Sequence, residues 1–162
     1  MADRPDRTTR PPPRFTRLLR MIVQRPPAHV LAGAIFDEQG RVLIAQRPPG
    51  KHLAGGWEFP GGKLEPGEER IEALQRELDE ELGITVHSAE PLICYEHHYP
   101  DRRVVLDLWL VTKYTGTPQS LEGQPLQWVA VNDLEKAGLL DADKPMIPAL
   151  QRVEGWALGC KM

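Results

Sequence analysis

Cysteine is scarce in this chain: Cys94 and Cys160 are the only two among its 162 residues. Two cysteines cannot build a disulfide framework, and they cannot supply a zinc site made of thiolates. We interpret both as reduced thiols, which is the usual state of cysteine in the cytoplasm.

Long apolar runs are absent as well, since no stretch approaches the ~18–20 residues that a membrane-spanning helix needs. Met1 is followed by residues rich in arginine and proline, not by the apolar stretch of a secretory signal. The sequence therefore predicts a cytoplasmic protein without a membrane partner.

An excess of positive charge is also missing, because the formal net charge is −3. Residues 1–27 nevertheless carry seven arginines and two aspartates, a charge of +5, which leaves −8 for the other 135 residues. We predict that this basic, proline-rich arm at 1–27 is disordered. It could tether the protein to nucleic acid or to an anionic surface, but we favour a solvated tail, so a nucleic-acid partner is not expected.

The remaining residues, 28–155, have the size and mixed composition of one globular domain. Apolar runs around the turn at 37–40 predict a β-hairpin, and no sequence repeat is visible. Strands are predicted at 29–36, 41–46, 57–59, 91–98, 103–113 and 126–131, and helices at 68–82, 132–137 and 144–153.

Three glutamates share one face of the helix predicted at 68–82. At 100° per residue from Glu77, Glu81 lies at about 40° and Glu80 at about 300°, next to an apolar stripe. The segment has seven acidic residues and two arginines, a net charge of −5. Neighbouring like charges destabilise a helix, whereas converging oxygen donors suit a hard divalent cation such as Mg²⁺. A solvated acidic face is the alternative for a charge run alone.

The spacing around this helix favours the metal site. Gly62 is followed after five residues by Glu68, after seven more by Arg76-Glu77-Leu78, and after single residues by Glu80-Glu81 and Gly83-Ile84. This arrangement is similar at every defined position to the Nudix box. The chain therefore resembles Nudix hydrolases, which cleave nucleoside diphosphates linked to another group. The resemblance implies an α/β class and the Nudix fold, an α/β/α sandwich with a mixed β-sheet.

The resemblance also implies a set of metal ligands. Glu77, Glu80 and Glu81 are expected to bind the metal or to lie next to it. The carbonyl of Gly61 completes the set, and Glu122 joins from a loop outside the box. The implied cofactor is Mg²⁺, with Mn²⁺ as a possible substitute.

The chemistry expected from this resemblance is attack of water at the β-phosphorus, with a nucleoside monophosphate as the leaving group. A general base must accept the proton of that water. We predict Glu77 in this role, with Glu80 as the second choice. Arg76 is expected to orient the carboxylates through charge-assisted hydrogen bonds.

Further motifs outside the box lie at 47–52, 57–63, 99–102, 122–128 and 142–147. They are similar to those of the MutT type of the family, which hydrolyses oxidised nucleoside triphosphates. This similarity covers about residues 28–153 and implies that (8-oxo-)dGTP and water give (8-oxo-)dGMP and diphosphate, a reaction that cleans the nucleotide pool. The implied substrate-binding residues are Arg47, His52, Glu58, Phe59, Pro60, Gly61, Arg102 and Asp143.

Asp143 leaves the preferred base open. MutT relatives often have asparagine here, which offers a donor and an acceptor, whereas a carboxylate only accepts unless it is protonated. Burial can keep an aspartate protonated. We therefore expect 8-oxo-dGTP first, with pyrimidine triphosphates (CTP or modified dCTP) as the alternative. A non-catalytic nucleotide-binding Nudix module is the other alternative, although this chain keeps every box carboxylate. The sequence does not distinguish a monomer from a homodimer.

Overall fold

The computed structural model describes residues 26–159, with side chains from 26 to 153. The predicted arm at 1–27 therefore lies almost entirely outside the described residues. No helix in the described part of the chain is long and apolar enough to cross a membrane. The elements are β1 (Ala28–Ala34), β2 (Arg41–Gln46), β3 (Trp57–Glu58), β4 (Gly61–Lys63), α1 (Arg70–Leu82), β5 (Thr85–His98), β6 (Arg103–Thr115), β7 (Leu126–Ala130) and α2 (Met146–Gly159).

Two β-sheets lie between the two helices. The larger sheet has the order β4-β1-β6-β5 and is mixed, because β1 runs parallel to β6 and antiparallel to β4. The smaller sheet, β3-β2-β7, is antiparallel. Alternate residues of β1 serve two cores: Ala32 packs in the cluster that contains Met146 of α2, and Leu31 packs in the cluster that contains Leu78 of α1. These layers confirm the α/β/α sandwich with a mixed sheet.

The predicted hairpin of β1 and β2 is wrong beyond its turn. Asp37 N donates to Arg41 O (2.9 Å) and Leu43 N donates to Ile35 O (3.0 Å), after which the strands separate into different sheets. Both edges of β1 are occupied, one by β6 and the other by β4, so β2 pairs with β3 and β7 instead.

Other predicted boundaries differ for local reasons. The segment 132–137 is not an α-helix: a 3₁₀ turn at Val131–Asp133 is followed by turns that end at Gly138, whose φ of +93° few other residues adopt. β5 begins at Thr85, whereas the sequence predicted a start at 91. Register shifts against β6 disturb the alternation of side chains in this part of the strand, so the prediction missed it.

A buried anion joins β1, β6 and α1. Asp107 is fully buried, and its Oδ2 lies 2.7 Å from His29 Nε2 and accepts a hydrogen bond from Arg70 Nε (2.8 Å). Its Oδ1 accepts from Arg70 Nη2 (3.1 Å) and Trp109 Nε1 (2.9 Å). The thiol of Cys94 is near His29 and Asp107. Because the Arg70 fork already neutralises the carboxylate, we interpret this group as a structural tie.

Candidate active site

Helix α1 holds the carboxylates at a fixed rotation. It begins after Glu69, whose backbone N donates to the Glu72 side chain (3.0 Å) in a capping box. It ends at Gly83, whose φ of +67° lets its N–H bond back to Asp79 O. Burial of its apolar stripe against the sheet leaves the neighbouring acidic face at the edge of the sandwich. The buried residues of the helix are Ala73, Leu74, Leu78 and Leu82.

Arg76 braces two of the box carboxylates. Its Nε and Nη2 donate to the two oxygens of Glu68 (2.7 and 3.0 Å), and its Nη1 donates to Glu77 Oε1 (2.8 Å). The hydrogen bonds from Arg76 lower the pKa of Glu68. Glu80 lies farther away, 3.6 Å from Arg76 Nη1, and its side chain is 54% exposed. These contacts agree with the orienting role expected for Arg76, and they leave Glu80 at the rim.

The strand segment opposite α1 has no space for side chains. A Cβ atom at Gly62 would overlap the carboxyl group of Glu77. The backbone N of the preceding residue, Gly61, donates to Glu81 Oε2 (3.2 Å). Gly62 therefore leaves room for Glu77 against β4, and the backbone of the same strand binds Glu81.

In the part of the chain that the structure describes, Glu81 has no cationic partner. None of the ion pairs found among residues 26–153 involves its carboxylate. Burial, together with repulsion from Glu122, Glu77 and Glu58, raises the pKa of Glu81 to about 8, although the bond from Gly61 N opposes this shift. Several oxygen donors with unbalanced negative charge fit a hard divalent cation, which would neutralise them.

A cleft of about 260 Å³ opens beside these acids. It is lined by six of the predicted site residues: Glu58, Phe59, Pro60, Gly61, Glu81 and Glu122. Glu77 is close to this lining, since its charge helps to raise the pKa of Glu81. The structure thus brings together the predicted metal ligands apart from Glu80, which stays at the exposed edge of α1.

The predicted basic residues lie next to the cleft, where Arg47 contacts Glu58 of its lining. Arg47 Nε donates to Glu58 Oε2 (2.8 Å), and its Nη1 donates to His52 O (2.9 Å). The His52 ring meets the Tyr99 ring edge-on with centroids 5.6 Å apart, and the Arg102 guanidinium lies 5.3 Å from the centre of the Tyr99 ring. Cationic and aromatic groups of this kind suit a nucleobase or a phosphate.

Asp143 lies near Glu58 and Arg47. It is only 7% exposed, and its Oδ2 accepts a hydrogen bond from Phe59 N (3.3 Å). Burial, together with the charge of Glu58, raises the pKa of Asp143 to about 7, whereas the Phe59 bond and Arg47 oppose this shift. Near neutral pH the carboxyl group can therefore act as a donor or as an acceptor.

Two residues at the site belong to the sequence motifs but had no predicted role. Tyr99 lies between His52 and Arg102. Gln124 lines the cleft with a buried side chain. The role of Tyr99 could have been predicted, because it lies close in sequence to the implied substrate-binding residue Arg102. An amide in a loop gives no such signal, because its contact with the end of α1, through Glu81 O, joins segments 43 positions apart.

Comparisons with known proteins agree with this geometry. The sequence model of the NUDIX domain matches residues 31–149. The chain is similar to the 8-oxo-dGTP diphosphatase of Escherichia coli K12, with 37% identity over 76% of this chain and 96% of the relative. It is also similar to the CTP pyrophosphohydrolase of the same organism, with 39% identity over 74% of this chain and 88% of the relative.

The fold matches solved structures too. The crystal structure of the MutT NUDIX hydrolase from Burkholderia pseudomallei has a TM-score of 0.69 and 30% identity, and the match covers 80% of this chain and 99% of that chain. The family match spans more than half of the chain, and the relatives are covered over most of their length. The chain therefore belongs to the NUDIX domain family.

Proposed function

We propose that this Nudix hydrolase is a Mg²⁺-dependent nucleoside triphosphate pyrophosphohydrolase that converts 8-oxo-dGTP and water into 8-oxo-dGMP and diphosphate. One observation carries the proposal: Phe59 N bonds to Asp143 and Gly61 N bonds to Glu81. Two residues of extended chain span about 7 Å. The segment from Phe59 to Gly61 therefore holds the titratable Asp143 and the cation-binding Glu81 apart by roughly the width of a nucleoside. The 8-oxo-dGTP diphosphatase relative supports the same substrate.

Separate tasks in the reaction, cation binding and proton acceptance, are proposed for named residues. Glu77, Glu81, Glu122 and the Gly61 carbonyl are proposed to hold the cation. When bound, the cation would neutralise phosphoryl oxygens and lower the pKa of water. Glu77, fixed by Arg76, is proposed to accept the proton as water bonds to the β-phosphorus. The bond from that phosphorus to the oxygen of the leaving nucleoside monophosphate then breaks. Glu80 stays the second choice as base.

The group of basic residues beside the cleft is proposed to bind the nucleoside. His52 and Arg102 contact Tyr99, Arg47 bonds to His52 O, and Phe59 offers an apolar wall. Protonated Asp143 can donate to the base and accept from it at once, and so replace the asparagine that MutT relatives often have.

A second substrate class has its own support. Ionised Asp143 only accepts hydrogen bonds, which suits the amino group of cytosine. The similarity to a CTP pyrophosphohydrolase points the same way. CTP and modified dCTP are therefore the alternative substrates.

An assay of diphosphate release tests the proposal. We expect Mg²⁺-dependent release with 8-oxo-dGTP as the preferred substrate among oxidised and ordinary triphosphates and dinucleotides. Replacing a positioned base costs about 10²–10⁴-fold in rate, so Glu77→Gln should lose that much. Asp79→Asn, at an exposed position of the same helix, is the matched control.

Three results would contradict parts of the proposal. A preference for CTP would favour the alternative substrate, and binding without turnover would favour a non-catalytic module. If Glu77→Gln stays within about threefold of wild type, Glu77 is not the base.

We also propose a cytoplasmic location, since free nucleoside triphosphates are the substrate, and domain boundaries at 28–155. The matched range 31–149 lies within these boundaries. Fractionation of cells and limited proteolysis of the protein would test the two statements.

A further inference from the structure

The loop between β6 and β7 is fastened to the end of α1. The last carbonyls of a helix have no partner within it. Here Glu81 O accepts hydrogen bonds from Leu121 N (3.2 Å) and from Gln124 Nε2 (3.2 Å), and Leu82 O accepts one from Gln119 N (3.0 Å). The loop that carries Glu122 is thus held at the helix terminus that carries Glu81.

The Gln124 amide is central to this attachment. The residue is only 7% exposed. Its Nε2 donates to Glu81 O, and its Oε1 accepts from Glu122 N (3.0 Å) and from Ser120 Oγ (3.1 Å). A buried amide that is bonded at both ends is costly to displace, because an unpaired polar group would remain. One side chain therefore links the backbone of Glu81 to the backbone of Glu122.

This link acts against an electrostatic force. Both acids line the cleft, and two carboxylates in one cleft repel each other. Glu122 lies in an exposed loop, so repulsion alone would move it away from α1. A tie between the two backbones keeps the carboxylates close enough to share a ligand.

We propose that Gln124 is a positioning residue that holds the Glu122 carboxylate beside Glu81 and thereby sets the affinity of the cleft for a divalent cation. The inference rests on the proposed function only in taking these acids as cation ligands. Gln124 itself touches neither substrate nor cation in this role.

Mn²⁺ binding to the full-length protein without nucleotide tests the proposal, measured by electron paramagnetic resonance. Gln124→Met keeps the length of the side chain and removes its hydrogen bonds. Loss of a residue that orients a metal ligand costs about 10–100-fold in affinity, so we expect at least a tenfold weaker Mn²⁺ affinity. Gln127→Met, the same change at an exposed position of β7, should leave the affinity unchanged.

Hydrolysis gives a second readout. In Gln124→Met the Mg²⁺ concentration for half-maximal rate should rise at least tenfold, while kcat at saturating Mg²⁺ stays within about threefold of wild type. A merely structural role would instead lower stability and kcat together. A folded Gln124→Met protein with wild-type Mn²⁺ affinity would overturn the proposal.

Ser120→Ala keeps the test decisive if Gln124→Met does not fold. It removes one hydrogen bond to the amide at an exposed position. We expect Mn²⁺ affinity to fall about twofold or more, and an unchanged affinity would overturn the proposal. Failure of the wild type to hydrolyse triphosphates would reject the proposed function but not the role of Gln124, because Mn²⁺ binding needs no substrate.

Discussion

Asp143 shows how strongly a distant segment of the chain changes the pKa of one side chain. Its carboxyl group is buried among residues that include Phe59 and is repelled by Glu58, so its pKa rises from 3.8 to about 7. The resemblance to MutT-type enzymes indicated that Asp143 contacts the base. The sequence could not show its protonation state, because burial and the charge of Glu58 depend on contacts between residues 84 positions apart.

This shift predicts a pH-dependent stability. Above pH 3.8 the unfolded chain loses the proton while the folded protein keeps it, so folding becomes less favourable until the pH passes about 7. Asp143→Asn removes this penalty. Its free energy of unfolding relative to wild type should therefore increase by about 1 kcal/mol or more from about pH 5 to about pH 8.

Urea unfolding of both proteins at the two pH values measures this difference. Asp101→Asn, on an exposed turn, is the control and should show a constant difference. The same constancy in Asp143→Asn would show that Asp143 is ionised throughout.

At the scale of elements, the contact between α1 and β4 shapes the site. The Glu77 carboxylate occupies the place that a side chain at position 62 would need. Gly62→Ala should displace it, and a misplacement of about 1 Å can cost about 10²-fold in rate. We therefore expect kcat/KM for triphosphate hydrolysis to fall about 10²-fold.

Lys63→Ala is the matched control for Gly62→Ala. Lys63 is exposed on the same strand, and its bond to Arg76 uses the backbone carbonyl, which the substitution keeps. Wild-type kcat/KM in Gly62→Ala would contradict the placement of Glu77 against this strand.

The elements themselves were predictable where the sequence has a clear period. The stripe of leucines predicted α1 at 68–82, and the helix is found at Arg70–Leu82. The same wheel placed Glu77, Glu80 and Glu81 on one face beside that stripe, and of these Glu80 lies at the exposed edge. Prediction was poorer at β5, whose bulges interrupt the alternation. It also failed at 132–137, where a glycine with positive φ ends the turns.

At the scale of the whole molecule, Asp107 connects the large sheet to α1. Asp107→Ala removes the partner of Arg70, His29 and Trp109 at once. Breaking a buried charged network is strongly destabilising, although Arg70 is exposed enough to regain water. We expect the free energy of unfolding to fall by about 2–4 kcal/mol.

Thermal or urea unfolding measures this loss. Because Asp107 does not line the cleft, kcat of the folded Asp107→Ala protein should stay within about threefold of wild type. A large fall in kcat with unchanged stability would contradict the structural interpretation of this residue.

The arrangement of the two sheets was the least predictable feature. Strand runs and a mixed α/β pattern follow from local sequence, and the resemblance to Nudix hydrolases supplied the sandwich. The partners of β1 and β2 did not follow, because strand pairing depends on segments far apart in the chain, such as β6 for β1 and β7 for β2.

The three-point attachment of the β6–β7 loop also bears on protein engineering. Surface loops usually accept inserted peptides. In this loop, an insertion between Gln119 and Gln124 would pull an acid out of the cleft, so homologues should vary little in length here. The turn at 37–40, with Glu38 and Gln39 exposed and no contact with the cleft, is the better place for a tag or a fused domain.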